Sequence, residues 1–245
     1  MLVYSKGTLF VTGGSHGIGE AIIRKVGKNY KTVINYDFSL SPDLDVRDSE
    51  NLRGAIASAL TKGEVQHDLV VSAGVIIAKP FLEQTPEEIQ FQLRTNLEGA
   101  IHAIQGFLKW HKDSNHPIRP NIVVISSVSA HLHEGSDVAI YEASKAGLSH
   151  FVRSIADPGK REFIINVVEP GTIRETNIGG WRDDGTFDTS AREGVNEAQA
   201  REVAMLPIEV GKDDVAKVVE MLILGNPKGV YNGASFTVDG GYSVL

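Results

Sequence analysis

The 245-residue chain contains no cysteine, which excludes a disulfide framework and a thiolate metal site and fits a reducing compartment. No apolar run approaches the roughly 18 residues that cross a bilayer, so no membrane-spanning helix is expected. Clustered lysine and arginine are absent and the net charge is −7, which argues against a nucleic-acid partner, because binding phosphates needs grouped cations. The opening stretch MLVYSKGTLFVTGG lacks a basic region followed by a long apolar one. A signal peptide is therefore not expected, and the cytoplasm is the expected location.

What is present is an alternation of short apolar runs with helix-period segments. TLFV (8–11), KTVINY (31–36), HDLVVSAG (67–74), NIVVISS (121–127), FIINVVEPG (163–171) and ASFTVDGG (234–241) read as strands or strand–turn units. Between them, 18–29, 49–63, about 86–110, 139–156 and 213–224 read as helices. Ser49 or Thr85 caps a start, Pro86 sits at a first helical position, and Gly63 is a stop. Strands that are apolar on both faces and separated by helices imply a parallel sheet covered on both sides. The expected fold is therefore α/β, a doubly wound Rossmann-type parallel sheet in a single domain over residues 1–245. The polar stretch from 177 to 207 is an insertion of the kind that forms substrate loops.

TLFV is followed directly by TGGSHGIG (12–19). Gly13, Gly17 and Gly19 thus lie between a strand and a helix, the setting in which glycines let a backbone approach a pyrophosphate at a helix N-terminus. Ser15, His16 and Ile18 belong to the same loop. The second strand ends at Asp37, 18 residues past Gly19, where a carboxylate can accept hydrogen bonds from the hydroxyls of an adenosine ribose. That charge would repel a 2′-phosphate, and Phe38 offers no arginine to hold one. NAD(H) is the expected cofactor. His16, mostly neutral, is a poor substitute for an arginine that would hold the phosphate.

Tyr141 and Lys145 in YEASK lie one turn apart on one helix face. Ser126 and Ser127 close a strand at its carboxyl edge, where ligands bind in such sheets. With these residues the chain resembles the short-chain dehydrogenase/reductase family. The likeness is carried by TGGSHGIG, Asp45-Val46, Ser72-Ala73-Gly74, Asn96 in TNLEG, Ser127, Tyr141 with Lys145, Pro170-Gly171 and VDGG (238–241). The resemblance implies about seven parallel strands and a tetrad of Asn96, Ser127, Tyr141 and Lys145. It also implies cofactor contacts from Asp45, Val46, Ala73, Gly74, Pro170, Gly171, Ile173 and Thr176, and a homo-oligomer, tetramer or dimer. In chemical terms, oxidising a secondary alcohol requires a base on the hydroxyl, and a free phenol near pKa 10 is a poor one. A lysine ammonium about 4 Å away contributes up to about 4 kcal/mol at an effective dielectric of 20, enough to bring Tyr141 toward working pH.

The chain departs from the family pattern in three places. Ser72 stands where an asparagine is usual, and Thr176 comes one place late behind Glu175. The Ser127–Tyr141 interval is one residue longer than the family pattern, which leaves Ser126 or Ser129 open as the working hydroxyl. His131, His133 and Trp181 are candidate substrate contacts, and no third ligand accompanies the histidines, so no metal is expected. Only seven residues separate Asp37 from Asp45, too few for the roughly 10–12 of a helical crossover. The helix after the second strand is therefore expected to be missing, with a bare loop leading to a short third strand. Together these features predict an NAD(H)-dependent oxidoreductase acting on a small polar alcohol or ketone such as a sugar, polyol or cyclic diol. An NADPH-type 3-oxoacyl-thioester or carbonyl reductase, and a non-catalytic dinucleotide-sensing protein, are the alternatives.

Overall fold

The computed structural model describes residues 6–60, 63, 65–157, 159, 162–173, 176, 178, 180–181, 187–188 and 209–244. Six strands form one parallel sheet: β1 (Lys6–Thr12), β2 (Tyr30–Tyr36), β3 (Asp68–Val71), β4 (Asn121–Ile125), β5 (Ile164–Pro170) and β8 (Ser235–Val238). Their order is β2-β1-β3-β4-β5-β8. A separate two-residue pair, β6 (Gly180–Trp181) and β7 (Phe187–Asp188), runs antiparallel.

Alternation along each strand explains why both faces are covered. Phe10, Leu69, Val71, Ile122, Val124, Ile165 and Val167 point to one side. There they pack on α2 (Ser49–Ala59), α4 (Gly99–Asp113) and α5 (Ala139–Ile155). Leu9, Val11, Val70, Val123, Ile125 and Val168 face the other side, against α1 (Gly17–Val26) and α6 (Lys212–Leu224). Truncating any of the fully buried ones to alanine would cost on the order of 2–5 kcal/mol.

Several expectations need correction. No helix lies between 38 and 44, as the seven-residue interval requires, but no third strand follows either. The chain spends this stretch on successive turns, with Leu40 N–H on the Asp37 carbonyl, Leu44 on Ser41 and Asp48 on Asp45. It then enters α2 at once, so among the described residues the sheet has six strands where seven were expected, and β2 is one of its edges. The α2 cap is Asp48, whose carboxylate accepts from Glu50 and Asn51 N–H, and not Ser49. That helix ends at Ala59, before Gly63. The Thr85 cap forms as expected, with Pro86 first in α3 (Pro86–Leu93) and Glu88 closing a reciprocal capping box. The long helix that follows is not uniform: Arg94–Glu98 is wound as a π-helix between α3 and α4. Such bulges gather at functional sites.

Candidate active site

The sheet order reverses around β1, which opens a crevice at the carboxyl ends of β1 and β3. The loop that leaves β1 is wound so tightly that only glycine fits. Gly13 has φ +69, its N–H donates to the Tyr36 carbonyl at 3.0 Å, and a Cβ there would lie 2.6 Å from the Ala73 Cα. A Cβ on Gly19 would lie 2.0 Å from the Gly13 carbonyl oxygen. Gly17 takes φ +54 beneath Thr176. His16 is the exposed residue before α1 and caps nothing with its side chain.

Asp37, just past β2, ties this loop down. One carboxylate oxygen accepts from Ser15 N–H at 2.8 Å, and the other accepts from Ser39 N–H at 2.9 Å and the Ser39 hydroxyl at 2.7 Å. Burial alone would raise the Asp37 pKa; the bonds from Ser39 and Ser15 outweigh it and hold the carboxyl below its ordinary value. Asp45 and Val46 line the same crevice. Asp45 is bound by Arg47, through Nε at 2.8 Å and Nη2 at 2.7 Å, and the Arg47 guanidinium lies 4.7 Å over the Phe91 ring. Arg47 and Phe91 were not legible as site residues, since nothing in their local sequence marks either as facing a ligand.

Farther along the crevice the tetrad residues come together. Tyr141 and Lys145 project from α5, Ser127 follows β4, and Asn96 sits in the π segment, each of them buried. Asn96 acts as a clamp. Its oxygen accepts Val75 N–H at 2.8 Å, and its amide donates to the Val75 carbonyl at 2.8 Å and the Ser144 hydroxyl at 3.0 Å. Lys145 Nζ donates to the Ile125 carbonyl at 3.1 Å and lies 5.6 Å from the Tyr141 ring centroid. Burial lowers the Lys145 pKa to about 8 and raises that of Tyr141, which a hydrogen bond with Ser127 lowers in part and the Glu134 charge raises further. The expected lowering of the phenol by the ammonium is therefore not the dominant effect here. Desolvation of both groups exceeds it.

Of the three serines, Ser127 is the one whose side chain interacts with Tyr141. Ser126 is turned away, donating to the Lys145 carbonyl at 3.1 Å. Ser129 meets the Ser127 hydroxyl at 2.9 Å and donates to the Glu134 carboxylate. Ser129 and Glu134 both line the crevice. Glu134 directly follows His133, one of the two histidines expected to contact substrate. The structure places both histidines elsewhere: His131 Nε2 lies 3.1 Å from the buried Glu169 carboxylate, and the His133 side chain is 84% exposed, 3.7 Å from Glu142. Neither lines the crevice. Among the described residues no three His, Asp or Glu side chains gather as a metal site.

The remaining positions surround the loop. Ser72 and Ala73 N–H groups donate to Thr12 Oγ1 at 3.2 and 3.3 Å, so backbone contacts to Thr12 hold the strand end where an asparagine is usual. Gly74 borders Lys145 Nζ and Asn96. Gly171 N–H donates to the Val238 carbonyl at 3.0 Å, following Pro170. The Thr176 hydroxyl donates to the Ile173 carbonyl at 2.8 Å, folding that turn back over Gly17. Ile18, Pro170, Ile173 and Thr176 line the crevice. The Trp181 side chain and most of 177–207 lie outside the described residues. The group that fits is an extended one. Glycines with no room for a Cβ, a helix start and an ionised Asp37 occupy one end, and a buried Tyr–Lys–Ser cluster the other.

Residues 23–243 match the family model described as enoyl-(acyl carrier protein) reductase. The chain is 29% identical to the tropinone reductase homolog At2g29360 of Arabidopsis thaliana, over 97% of this chain and 90% of that protein. It is 26% identical to the acetoacetyl-CoA reductase of Synechocystis sp., over 96% and 95%. A dehydrogenase/reductase from Sinorhizobium meliloti 1021 superposes with a TM-score of 0.72 at 27% identity, covering 96% of this chain and 94% of that one.

Proposed function

The chain belongs to the short-chain dehydrogenase/reductase family, and on that premise we propose that it is an NAD(H)-dependent enzyme interconverting a secondary alcohol and its ketone in a small polar molecule. Membership makes it an oxidoreductase that uses a nicotinamide cofactor on a carbonyl or CH–OH group. The preference for NAD(H) is carried by Asp37, an ionised carboxylate fixed at the adenosine end of the crevice by Ser15 and Ser39. A 2′-phosphate about 4 Å from it would be repelled by about 4 kcal/mol per charge at an effective dielectric of 20.

The assigned roles follow from position. Gly13, Ser15, Gly17 and Gly19 hold the pyrophosphate at the start of α1, with His16 and Ile18 beside them. Asp45 and Val46 border the adenine, and Ala73 and Gly74 the sugar–phosphate between. Pro170, Gly171, Ile173 and Thr176 border the nicotinamide, which supplies or accepts the hydride when bound. Tyr141 exchanges the substrate proton, Ser127 fixes the substrate oxygen, and Lys145 holds the nicotinamide ribose. Asn96 keeps α5 and the Val75 segment after β3 in register. Hydroxyl and carboxylate groups of Ser127, Ser129 and Glu134 beside Tyr141 support a polar substrate. Residues 1–245 are read as one catalytic domain that assembles with its own copies in the cytoplasm.

A second reading, an NADPH-dependent carbonyl reductase, is favoured by Arg47 in the crevice wall, although its guanidinium is held by Asp45 and Phe91. Fluorescence titration with NADH and NADPH separates the two. NADH binding on the order of a hundredfold tighter supports the first reading, and equal or reversed affinity supports the second.

A further inference from the structure

Beside the tetrad, the substrate end of the crevice carries polar groups of one hydrogen-bonding sense. Ser127 Oγ accepts the Ser129 N–H at 3.2 Å, and the Ser127 and Ser129 hydroxyl oxygens lie 2.9 Å apart. The Ser129 hydroxyl donates to the Glu134 carboxylate. A glutamate is ionised at neutral pH and can then only accept. With its proton committed there, Ser129 Oγ presents lone pairs to the crevice. The carboxylate itself has about four acceptor sites, of which the Ser129 hydroxyl fills one. Glu134 is also fixed in place, because its N–H donates at 2.6 Å to the carboxylate of Glu142, the residue after Tyr141 on α5. Val75, Ile76, Ile173 and Ile178 line the same crevice with apolar surface, against which a polar substrate group finds no partner.

We propose that Ser129 and Glu134 form a subsite for a second hydroxyl, on the carbon next to the reacting one, so that the substrate is a vicinal diol. The inference rests on the function proposed above and deepens it. Ser127, which fixes the reacting oxygen, is required to donate to it, because a carbonyl oxygen can only accept. Ser129 and Glu134 offer the reverse: acceptors that a hydroxyl proton satisfies. The two serine oxygens stand side by side at hydrogen-bond distance, as do the two oxygens of a gauche vicinal diol, so each substrate oxygen can meet one serine. Oxidation by NAD⁺ gives the α-hydroxyketone, NADH and one proton, with the second hydroxyl unchanged. A mono-alcohol would instead set a C–H group against Ser129 Oγ and the carboxylate and deny them that donor. Ser129 and Glu134 are specificity-determining residues in this scheme.

The first test compares kcat/KM with NAD⁺ for cyclohexanol, vicinal cyclohexanediol (the better of its cis and trans forms) and the cyclohexanediol whose hydroxyls face across the ring. A hydrogen bond to a charged acceptor corresponds to roughly tenfold to a hundredfold, so wild type should favour the vicinal diol over both others by about thirtyfold. In Glu134→Ala and in Ser129→Ala that ratio should fall to within about threefold of unity, whatever happens to the absolute rates, because all three substrates use one tetrad. Glu134→Gln, which keeps an acceptor oxygen, should give an intermediate ratio. Either alanine variant decides the point if the other fails to fold. A ratio that survives both substitutions would overturn the subsite, as would a wild type that does not favour the vicinal diol. Preference for vicinal aminocyclohexanol over the diol, lost in Glu134→Gln, would overturn the hydroxyl in favour of a cation.

The second test reads binding and needs no turnover. In calorimetric titrations of Tyr141→Phe with NAD⁺ present, vicinal cyclohexanediol should bind about tenfold tighter than cyclohexanol. Adding Glu134→Ala to that background should abolish the difference. Equal affinities before Glu134 is changed would overturn the subsite. Absence of turnover in wild type, with the binding difference intact, would count against the proposed function and leave the subsite standing. Turnover of alcohols with no diol preference would do the reverse.

Discussion

Ser15 donates its backbone N–H to the Asp37 carboxylate at 2.8 Å, which fastens the glycine-rich loop after β1 to the tip of β2. The same carboxylate is held by Ser39 on its other oxygen. Asp37 therefore shapes the loop as well as charging it, and the shape and the charge can be separated by substitution.

Asp37→Asn keeps acceptor capacity toward Ser15 but removes the charge. It is expected to weaken NADH binding about tenfold and to strengthen NADPH binding by a similar factor, as read by ligand fluorescence. Asp37→Ala removes both, and should weaken both cofactors.

Gly19→Ala drives a Cβ to within 2.0 Å of the Gly13 carbonyl oxygen, a backbone atom that cannot swing aside. The loop must open to accept it. We expect thermal unfolding to show a loss of about 1–3 kcal/mol and cofactor titration to show no saturable binding.

Much of this architecture was legible in the sequence, for reasons that differ by element. Strands such as β1 and β3 are buried on both faces, so every residue from Leu9 to Val11 and from Leu69 to Val71 had to be apolar. The start of α3 was written in Thr85, Pro86 and Glu88, a purely local signal. The missing crossover helix followed from counting residues between Asp37 and Asp45. The third strand was wrongly expected because Asp45-Val46 matches a family position, yet 38–48 is consumed by three turns. The glycine turn after β1 and the Tyr141–Lys145 pairing on one helix face were legible because their spacing is local. Glu134 was not, since only the fold brings it to Ser129, and the Lys145 and Tyr141 shifts were not, since desolvation depends on neighbours distant in sequence.

Asn96→Ala strips the partners from Val75 N–H and its carbonyl inside the fold. Two unpaired buried groups cost about 1–3 kcal/mol each. Urea unfolding should report a loss of about 2–6 kcal/mol, with a larger fall in kcat than in cofactor affinity because α5 loses its tie through Ser144.

Lys145 makes stability depend on pH in a defined window. Its pKa falls from 10.5 in the unfolded chain to about 8 in the fold, because burial disfavours the ammonium. Above 10.5 it is neutral in both states and carries no penalty; as pH falls from 10.5 toward 8 only the unfolded state takes up the proton, so the folded state loses ground. Below about 8 the penalty is constant, at about 3 kcal/mol for a displacement of this size. Lys145→Met should therefore match wild type in stability near pH 10.5 and exceed it increasingly down to pH 8, in paired urea titrations.

In the proposed reaction Tyr141 moves a proton while an NAD(H) nicotinamide exchanges a hydride with a secondary alcohol or ketone. Nicotinamide reduction, followed by the absorbance of the reduced ring with a panel of sugars, polyols and cyclic diols, tests this role of Tyr141. Wild type and Tyr141→Phe are compared with NAD⁺ and NADP⁺ in parallel. Wild type should turn over with NAD⁺ at a kcat/KM that exceeds that with NADP⁺ by on the order of a hundredfold. Tyr141→Phe should lose at least about a hundredfold in kcat with NADH binding retained. Undiminished turnover by Tyr141→Phe, or a preference for NADP⁺, would contradict the proposed reaction.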